Sequence, residues 1–450
     1  MGGATSHAGK SWMATAICAW LRQRGHSVAP FKAQNMSNNS CACPGGGEIG
    51  RAQVAQAEAC GLVPEPDMNP ILLKPDSDTG SQVVLEGKVW RTLRAREYYE
   101  HFDFLLDRVL AAYERLSARF EYIVIEGAGS VAELNLKDRD LCNLGLARRL
   151  EAPGLLVADI DRGGVFAAIV GTYCLLDAEE RRLLRSFAVN RFRGDLSLFA
   201  TGVEILESRT GRPCLGVFPM APEIELDPED GVSLEMMPQP GDSPNMAIIR
   251  LPHISNFTDF RLLSPLAAWI LRPAHRRFDC IILPGTKNTP GDLAWLRSTG
   301  LDEWILSQHR AGAQIIGVCG GYQMMGESVD GIPGLGLLPI QTEMREDKTV
   351  RLVEAVTASG VRFSAYEIHM GETTRPANAA PFAVLADGTP EGIRSGRLIG
   401  TYLHGALENA QVASEILGLP VSPAVSKQQN YQLLADWFDR HQRGFAEIYL

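Results

Sequence analysis

Dense runs of lysine or arginine are missing from all 450 residues, and the formal charge is −10, from 43 Lys and Arg against 53 Asp and Glu. An interface that gains its affinity by neutralising phosphate backbones is therefore not expected, and nucleic acid is not a partner the composition supports. Long apolar runs are missing too. The longest one beyond the first helix, Val165 to Leu176, is far short of the roughly 20 residues of a membrane span, so no membrane partner is expected. Metal-spaced cysteines are absent: the nine cysteines are scattered, and Cys41 and Cys43 form a lone CxC without a second ligand pair. That leaves zinc unsupported, and a chain of this length has no need of disulfide staples. Reduced thiols in the cytoplasm fit this usage. No internal repeat and no low-complexity tract is present.

Two targeting patterns at the start are weak. MGGATS meets the loose myristoylation pattern at Gly2 and Ser6, and WMATAICAWL has the length of a signal-peptide core. However, no small-residue cleavage site follows. Trp12, Met13, Ile17, Trp20 and Leu21 share one helical face that Gly25 ends, the pattern of a buried helix.

What is present is α/β periodicity, and enough of it, at 45% hydrophobic residues, for two cores. SVAPF (27–31), YIVIEGAG (122–129), GLLVADIDRGG (154–164), FAVNRFRGD (187–195) and CLGVFP (214–219) each end in a polar or glycine-rich turn before a helical pattern. Strands buried on both faces and alternating with helices imply a parallel sheet, whose ligands gather at the carboxyl ends of the strands. MPQPGDSPN (237–245) reads as a linker between domains expected at 1–238 and 246–450. A second α/β series follows in MAIIRLP, CIILPGTKN, AQIIGVCGG and LIGTYLHG.

GATSHAGKS (Gly3 to Ser11) is close to the phosphate loop GxxxxGK[ST], with one extra residue between its glycines. Gly3, Thr5 and Gly9 offer backbone N–H groups to phosphates, Lys10 supplies a cation and Ser11 a hydroxyl for magnesium. Only Met1 and Gly2 precede Gly3, so the central strand that normally aims such a loop is expected to be missing, supplied by residues upstream of Met1. Glu126, at the end of YIVIE, is the strand-end carboxylate expected at magnesium. Asp159 and Asp161 end another strand, with Arg162 beside them; Asp161 reads equally as a helix N-cap. Asn190 suits either a base edge or a turn. Gln34, Asn35, Ser37 and Asn38, in QNMSNNS, suit a substrate edge bearing carboxylates and amides, or a plain polar loop.

GVCGG (Gly317 to Gly321) follows a strand and opens a helix, the G-x-C-x-G form of a nucleophile elbow. Cys319 is the nucleophile candidate, His404 in GTYLHG the base, and the backbones of Gly320 and Gly285 the oxyanion donors. His369 in YEIHMG is left to substrate or structure.

GVCGGYQ with GTYLHG resembles the triad-type (class I) glutamine amidotransferases, which implies thioester chemistry at Cys319, release of ammonia from L-glutamine and a substrate grip by Gln323. The glutamate usual two residues after the histidine is Ala406 here, which leaves a Cys–His pair with Glu408 as a possible third member. APFKAQNMSNNS, GGEIGRAQ, MNPILLKP, EGAGSVAELNL, DIDRGGVFA, LPHISNFTDF and LPGTKNT, in that order, are similar to the cobyric acid synthase family over essentially the whole chain. The resemblance implies a dethiobiotin-synthetase-like ATPase domain in which Lys32 is a second phosphate contact. It also implies ATP-, magnesium- and glutamine-dependent amidation of the b, d, e and g carboxylates of a corrinoid, adenosylcobyrinic acid a,c-diamide. An a,c-diamide synthase, a cell-wall amidating ligase and a partitioning ATPase are the alternatives, the last lacking an elbow like that at Cys319. The oligomeric state is not set by the sequence.

Overall fold

The strand runs read from the sequence all form, and their order fixes where the loops after them meet. The structure, a computed structural model, describes residues 1–75, 80–227, 245–423 and 425–450; the expected linker lies outside these residues except for Asn245. In the first half, Val28–Phe31 pairs with Tyr122–Ile125, and Gly154–Asp159 pairs with Leu184–Phe192, which pairs with Cys214–Pro219, all parallel. Gly2 and Gly3 pair with Leu156 and Val157. On the other side, Gly127 N donates to Met1 O at 2.8 Å and Met1 N donates to Ile125 O at 2.6 Å.

Met1 to Gly3 thus hold the carboxyl end of the central strand position. Towards the amino ends of the flanking strands the two edges are separated by an apolar cavity of about 310 Å³, bounded by residues such as Ile123, Leu155, Leu184 and Phe445. A separate sheet of Gln34–Met36, Ile71–Pro75, Gly80–Leu85 and Lys88–Arg94 extends this half towards the second.

In the second half the order is Ala267–Ile270, Met246–Ile249, Cys280–Leu283, Gln314–Val318, Leu398–Thr401 and Ile393–Ser395, with only the last strand antiparallel. A long antiparallel hairpin, Gln341–Thr357 with Arg362–Thr374, leaves this sheet and reaches the first half. Ile368 and Tyr366 from it pack with Cys41, Cys43, Ile49 and Val54 in a small core between the halves. The lone CxC is therefore packing material, and burial pushes the Cys43 thiol up to about 12.

Arg51, itself buried, ties the halves through Glu408 at 2.8 Å and is held within its own half by Asp227 at 2.9 Å. Among the described residues no helix is long and apolar enough to cross a membrane.

The expected second domain, 246–450, departs from the structure at its end. Helix Lys427–His441 returns to the nucleotide half and lies on helix Lys10–Gln23. Its buried stripe of Tyr431, Leu434, Ala435 and Phe438 has the i, i+3, i+4, i+7 spacing of an amphipathic helix. That stripe meets the apolar face of Lys10–Gln23: Trp12 packs edge-on to Trp437 at 5.8 Å, Trp20 edge-on to Phe438 at 5.7 Å, and Trp20 Nε1 donates to Asp439 Oδ1 at 2.8 Å. Phe438 also stacks on Phe218, in the last strand of the first sheet.

Truncating Phe438, which is wholly buried, is expected to cost about 3–5 kcal/mol, the range for a phenylalanine removed from a core. Chemical denaturation of Phe438→Ala followed by tryptophan fluorescence measures this, because Trp12, Trp20 and Trp437 all report on the cluster. A loss under about 1 kcal/mol, small on the same scale, would mean the helix is peripheral to the nucleotide half.

Candidate active site

Strand Gln314–Val318 ends at Cys319, whose φ of 52° and ψ of −112° turn the chain sharply into helix Gly320–Met324. A non-glycine residue at positive φ is strained, and such strain is stored where a side chain must be presented. Gly321 is compelled by packing, since a Cβ there would sit 2.0 Å from Leu283 O. Cys319 N donates to Thr401 O at 2.8 Å, and the thiol lies 3.5 Å from Ile368 O of the long hairpin.

The strand beside it, Leu398–Thr401, delivers His404. The imidazole is buried, stacks on Tyr366 at 5.2 Å and pairs through Nδ1 with Asp259 Oδ2 at 2.7 Å. The other oxygen of Asp259 accepts from Gly405 N at 2.9 Å. Burial alone would lower the His404 pKa, but the charge and hydrogen bond of Asp259, with Cys319 nearby, outweigh it and raise it to about 10. The ring is an imidazolium at neutral pH, with positive charge held beside the sulfur.

Asp259 thus stands in the third position that sequence reasoning left open. Glu408 does not, because its carboxylate is engaged with Arg51 at the interface. The signal for Asp259 was faint: an acidic residue between Phe257 and Phe260 in NFTDF, both buried, where an unpaired carboxylate is costly.

Gly285 packs against the ring, for a Cβ there would lie 3.1 Å from His404 Cε1, and its carbonyl accepts from Ser255 N. Gly320 is equally tight, a Cβ there lying 3.0 Å from Thr286 N. Gln323 borders the cavity at Cys319 but its amide is held at both ends, by Thr289 Oγ1 at 2.8 Å and Tyr402 OH at 3.1 Å. His369 stacks on Tyr402 at 3.9 Å and its Nδ1 is 2.8 Å from Gly371 O, a structural placement at the cavity edge.

In the first half the phosphate loop closes as expected. Gly9 has φ 89° at the start of its helix, and a Cβ there would lie 2.1 Å from Asn190 Nδ2. Asn190 donates to Ala8 O at 3.0 Å, so its amide braces the loop. Lys10 folds over Gly3 to donate to Gly129 O at 2.8 Å. Glu126 is inaccessible to solvent and accepts from Ser11 Oγ and Lys32 Nζ, both at 2.8 Å, and from Gln56 Nε2 at 2.5 Å. Ser11, Lys32 and Glu126 meet at one point. A serine hydroxyl and one carboxylate beside a phosphate loop fit magnesium, which takes few protein ligands and completes its shell with water and phosphate.

The remaining candidates are less converged. Asp159 is clamped by Arg191 at 2.9 Å and accepts from Asp161 N; Asp161 pairs with Arg193, and the helix after it is begun by Gly164, so Asp161 is not its N-cap. Arg162 is exposed, 3.9 Å from Asp159. Gln34 accepts from Tyr98 OH at 2.5 Å and Asn38 donates to Pro75 O. Asn35 and Ser37 are buried and committed inward, to Gln53 and to Asn39; they build the loop and offer no open edge.

A line of buried polar side chains runs between the two centres. Asn256, at the Cys319 cavity, accepts from Ser40 N at 2.9 Å. Ser40 Oγ donates to Glu48, on strand Glu48–Gly50, which leads directly into helix Arg51–Cys60. On that helix Gln53 and Gln56 are three apart, on one face. Both are inaccessible to solvent. Gln53 Oε1 accepts from Asn35 and Gln56 Nε2 donates to Glu126, which fixes both amides. Gln53 Nε2 and Gln56 Oε1 are left as a buried donor and a buried acceptor without a protein partner.

A nucleotide site and a Cys–His–Asp centre in one chain define a two-centre glutamine amidotransferase, and the comparisons agree. Residues 2–234 match the CobQ/CobB/MinD/ParA nucleotide binding domain and residues 245–412 the CobB/CobQ-like glutamine amidotransferase domain. The chain is 43% identical to the cobyric acid synthase of Syntrophobacter fumaroxidans, over 98% of this chain and 95% of that one. It is 44% identical to that of Chlorobium phaeobacteroides, over 99% and 94%, and 44% to that of Salmonella typhimurium, over 90% and 86%. The chain belongs to the cobyric acid synthase family. It is a glutamine-dependent amidoligase.

The raised pKa of His404 has a consequence for stability. A base whose folded pKa is above its unfolded value stabilises the fold fully below the unfolded pKa, near 6.5, and loses that contribution as pH rises through about 10. The stability difference between the protein and Asp259→Asn is therefore expected to shrink from pH 6.5 to 10. Urea melts across that range measure it; a difference independent of pH would remove Asp259 as the source of the shift.

Proposed function

We propose that the chain converts the b, d, e and g carboxylates of adenosylcobyrinic acid a,c-diamide to amides, consuming ATP and glutamine, and so forms adenosylcobyric acid. The observation that carries this reading is the buried polar line joining a nucleotide loop to a cysteine–histidine centre. An ammonia-generating centre and an acid-activating centre serve one reaction only if nitrogen can pass between them.

At the rear centre, Cys319 Sγ attacks the carboxamide carbon of glutamine, with the Gly320 and Gly285 backbones suited to the oxyanion. The C–N bond breaks as His404 gives its proton to the leaving nitrogen, and ammonia departs. Water then cleaves the thioester to glutamate. Asp259 keeps the ring oriented throughout and stabilises its protonated form before the proton is given up.

At the front centre a corrinoid carboxylate takes the terminal phosphoryl group of ATP, because oxide is too poor a leaving group for direct amidation. Lys10 and Lys32 balance the charge on the moving phosphoryl group. Magnesium, held by Ser11 and Glu126, supplies further charge neutralisation when bound. Ammonia attacks the acyl carbon and phosphate leaves. Between the centres, Gln56 Oε1 accepts from ammonia and Gln53 Nε2 donates to its lone pair. A low-dielectric route favours neutral NH₃, the nucleophile, over the ammonium ion.

Cys319→Ala is expected to abolish glutamine-driven amidation and keep amidation driven by added ammonium salt. Lys10→Ala is expected to stop both. Product masses from the corrinoid, ATP and either nitrogen source read the outcome, and loss of both activities in Cys319→Ala would make the cysteine structural.

Gln53→Leu tests the route. It is expected to leave glutamine hydrolysis running while amide formed per glutamine consumed falls at least several-fold; unchanged stoichiometry would take Gln53 out of the path.

A further inference from the structure

The cavity at Cys319 is small, about 60 Å³, and it draws its walls from both halves of the chain. Cys319, Gln323 and Lys348 come from the amidotransferase half, Lys74 from the nucleotide half. Lys74 and Lys348 are both buried, and both bind the same carboxylate, Glu48, which is inaccessible to solvent. Two ammonium groups share one carboxylate, and Lys287 lines the same cavity, so among the described residues lysines outnumber carboxylates in this wall. A buried excess charge is costly unless an anion joins it.

The partners of the two lysines leave donors for that anion. Lys74 Nζ reaches Glu48 and Ser40 Oγ, the latter at 2.7 Å, and Lys348 Nζ reaches Glu48 and, at 3.4 Å, Gln82 Oε1. An ammonium group has three donors. Burial pulls the Lys74 pKa down to about 8 although Glu48 opposes it, and a second carboxylate in the cavity would push it back up.

We propose that Lys74, reaching across from the nucleotide half, together with Lys348 binds the α-carboxylate of glutamine while its carboxamide lies at Cys319. This rests on the reading of Cys319 as the nucleophile and adds what that reading lacks, a group that recognises the amino-acid end. The glutamine site is then incomplete in the amidotransferase half alone. By linkage, glutamine binding and docking of the halves favour each other to the same degree.

The test compares glutamine with 4-aminobutanamide, the same molecule without its α-carboxylate, as substrates for hydrolysis. In Lys74→Met, KM for glutamine is expected to rise at least tenfold with a smaller change in kcat, and hydrolysis of 4-aminobutanamide to change less than twofold. Lys74→Arg is expected to restore much of the glutamine KM, and Lys348→Met to repeat the pattern more weakly. An unchanged glutamine KM in Lys74→Met overturns the proposal, as does an equal loss on both substrates, which is what mere collapse of the wall produces. Failure of the underlying reading looks different: Cys319→Ala would still hydrolyse glutamine.

Discussion

Glu48 lies wholly out of solvent and accepts a lysine from each half of the chain. Its carboxyl is held well below the ordinary carboxylate range, since the two lysine charges outweigh the effect of its own burial. Removing one partner from a buried pair leaves a charge that the interior cannot solvate, at about 3–5 kcal/mol. The contact is therefore poorly tolerant of separation. It fixes the relation of the two sheets at the point where their chemistry meets, and Arg51, at the start of the helix that follows, repeats the device by bridging Asp227 and Glu408.

That fixed relation explains why two sites read from distant parts of the chain serve one reaction. A parallel sheet presents its loops at the carboxyl ends of its strands, and both halves obey this rule. The phosphate loop and Glu126 follow strands of the first sheet, and Cys319, His404 and the Gly285 turn follow strands of the second. Helix Arg51–Cys60 begins at the interface and carries Gln56 to Glu126. One helix face thus connects the edge of one site to the acid of the other, and its two half-satisfied amides are the kind of exception among buried polar groups that calls for a function.

Much of this was legible in the sequence because the relevant signals are local. Runs such as YIVIE and AQIIGV are apolar on both faces, and a glycine pair around a cysteine or a lysine after a strand survives without its tertiary setting. Asp259 was not legible, since its meaning lies in a hydrogen bond to a histidine 145 positions away. The long hairpin was missed because QTEMREDKTVRLVEAVT is mostly exposed and charged, so it lacks the alternation that marks a half-buried strand. The last helix shows its apolar stripe plainly, but a stripe does not name the surface it covers, and it crosses back to the first half. Asn35 and Ser37 were read by residue type as substrate contacts, whereas burial turned them into the loop's own scaffold.

The amidotransferase centre also bears on when glutamine should be spent. Two features of the interface act on access to the cavity at Cys319. The hairpin residue Ile368 meets the thiol with its carbonyl while its side chain joins the small core shared by the halves. Lys74 enters the same cavity from the other side. Any change of shape in the nucleotide half that shifts strand Ile71–Pro75 moves a charge at the Cys319 cavity, because Lys74 is part of that strand. The same strand is hydrogen-bonded to Gln34–Met36, in the loop that follows Lys32 and its contact with Glu126. A short path of backbone thus links Lys32, the partner of Glu126, to Lys74 at the Cys319 cavity.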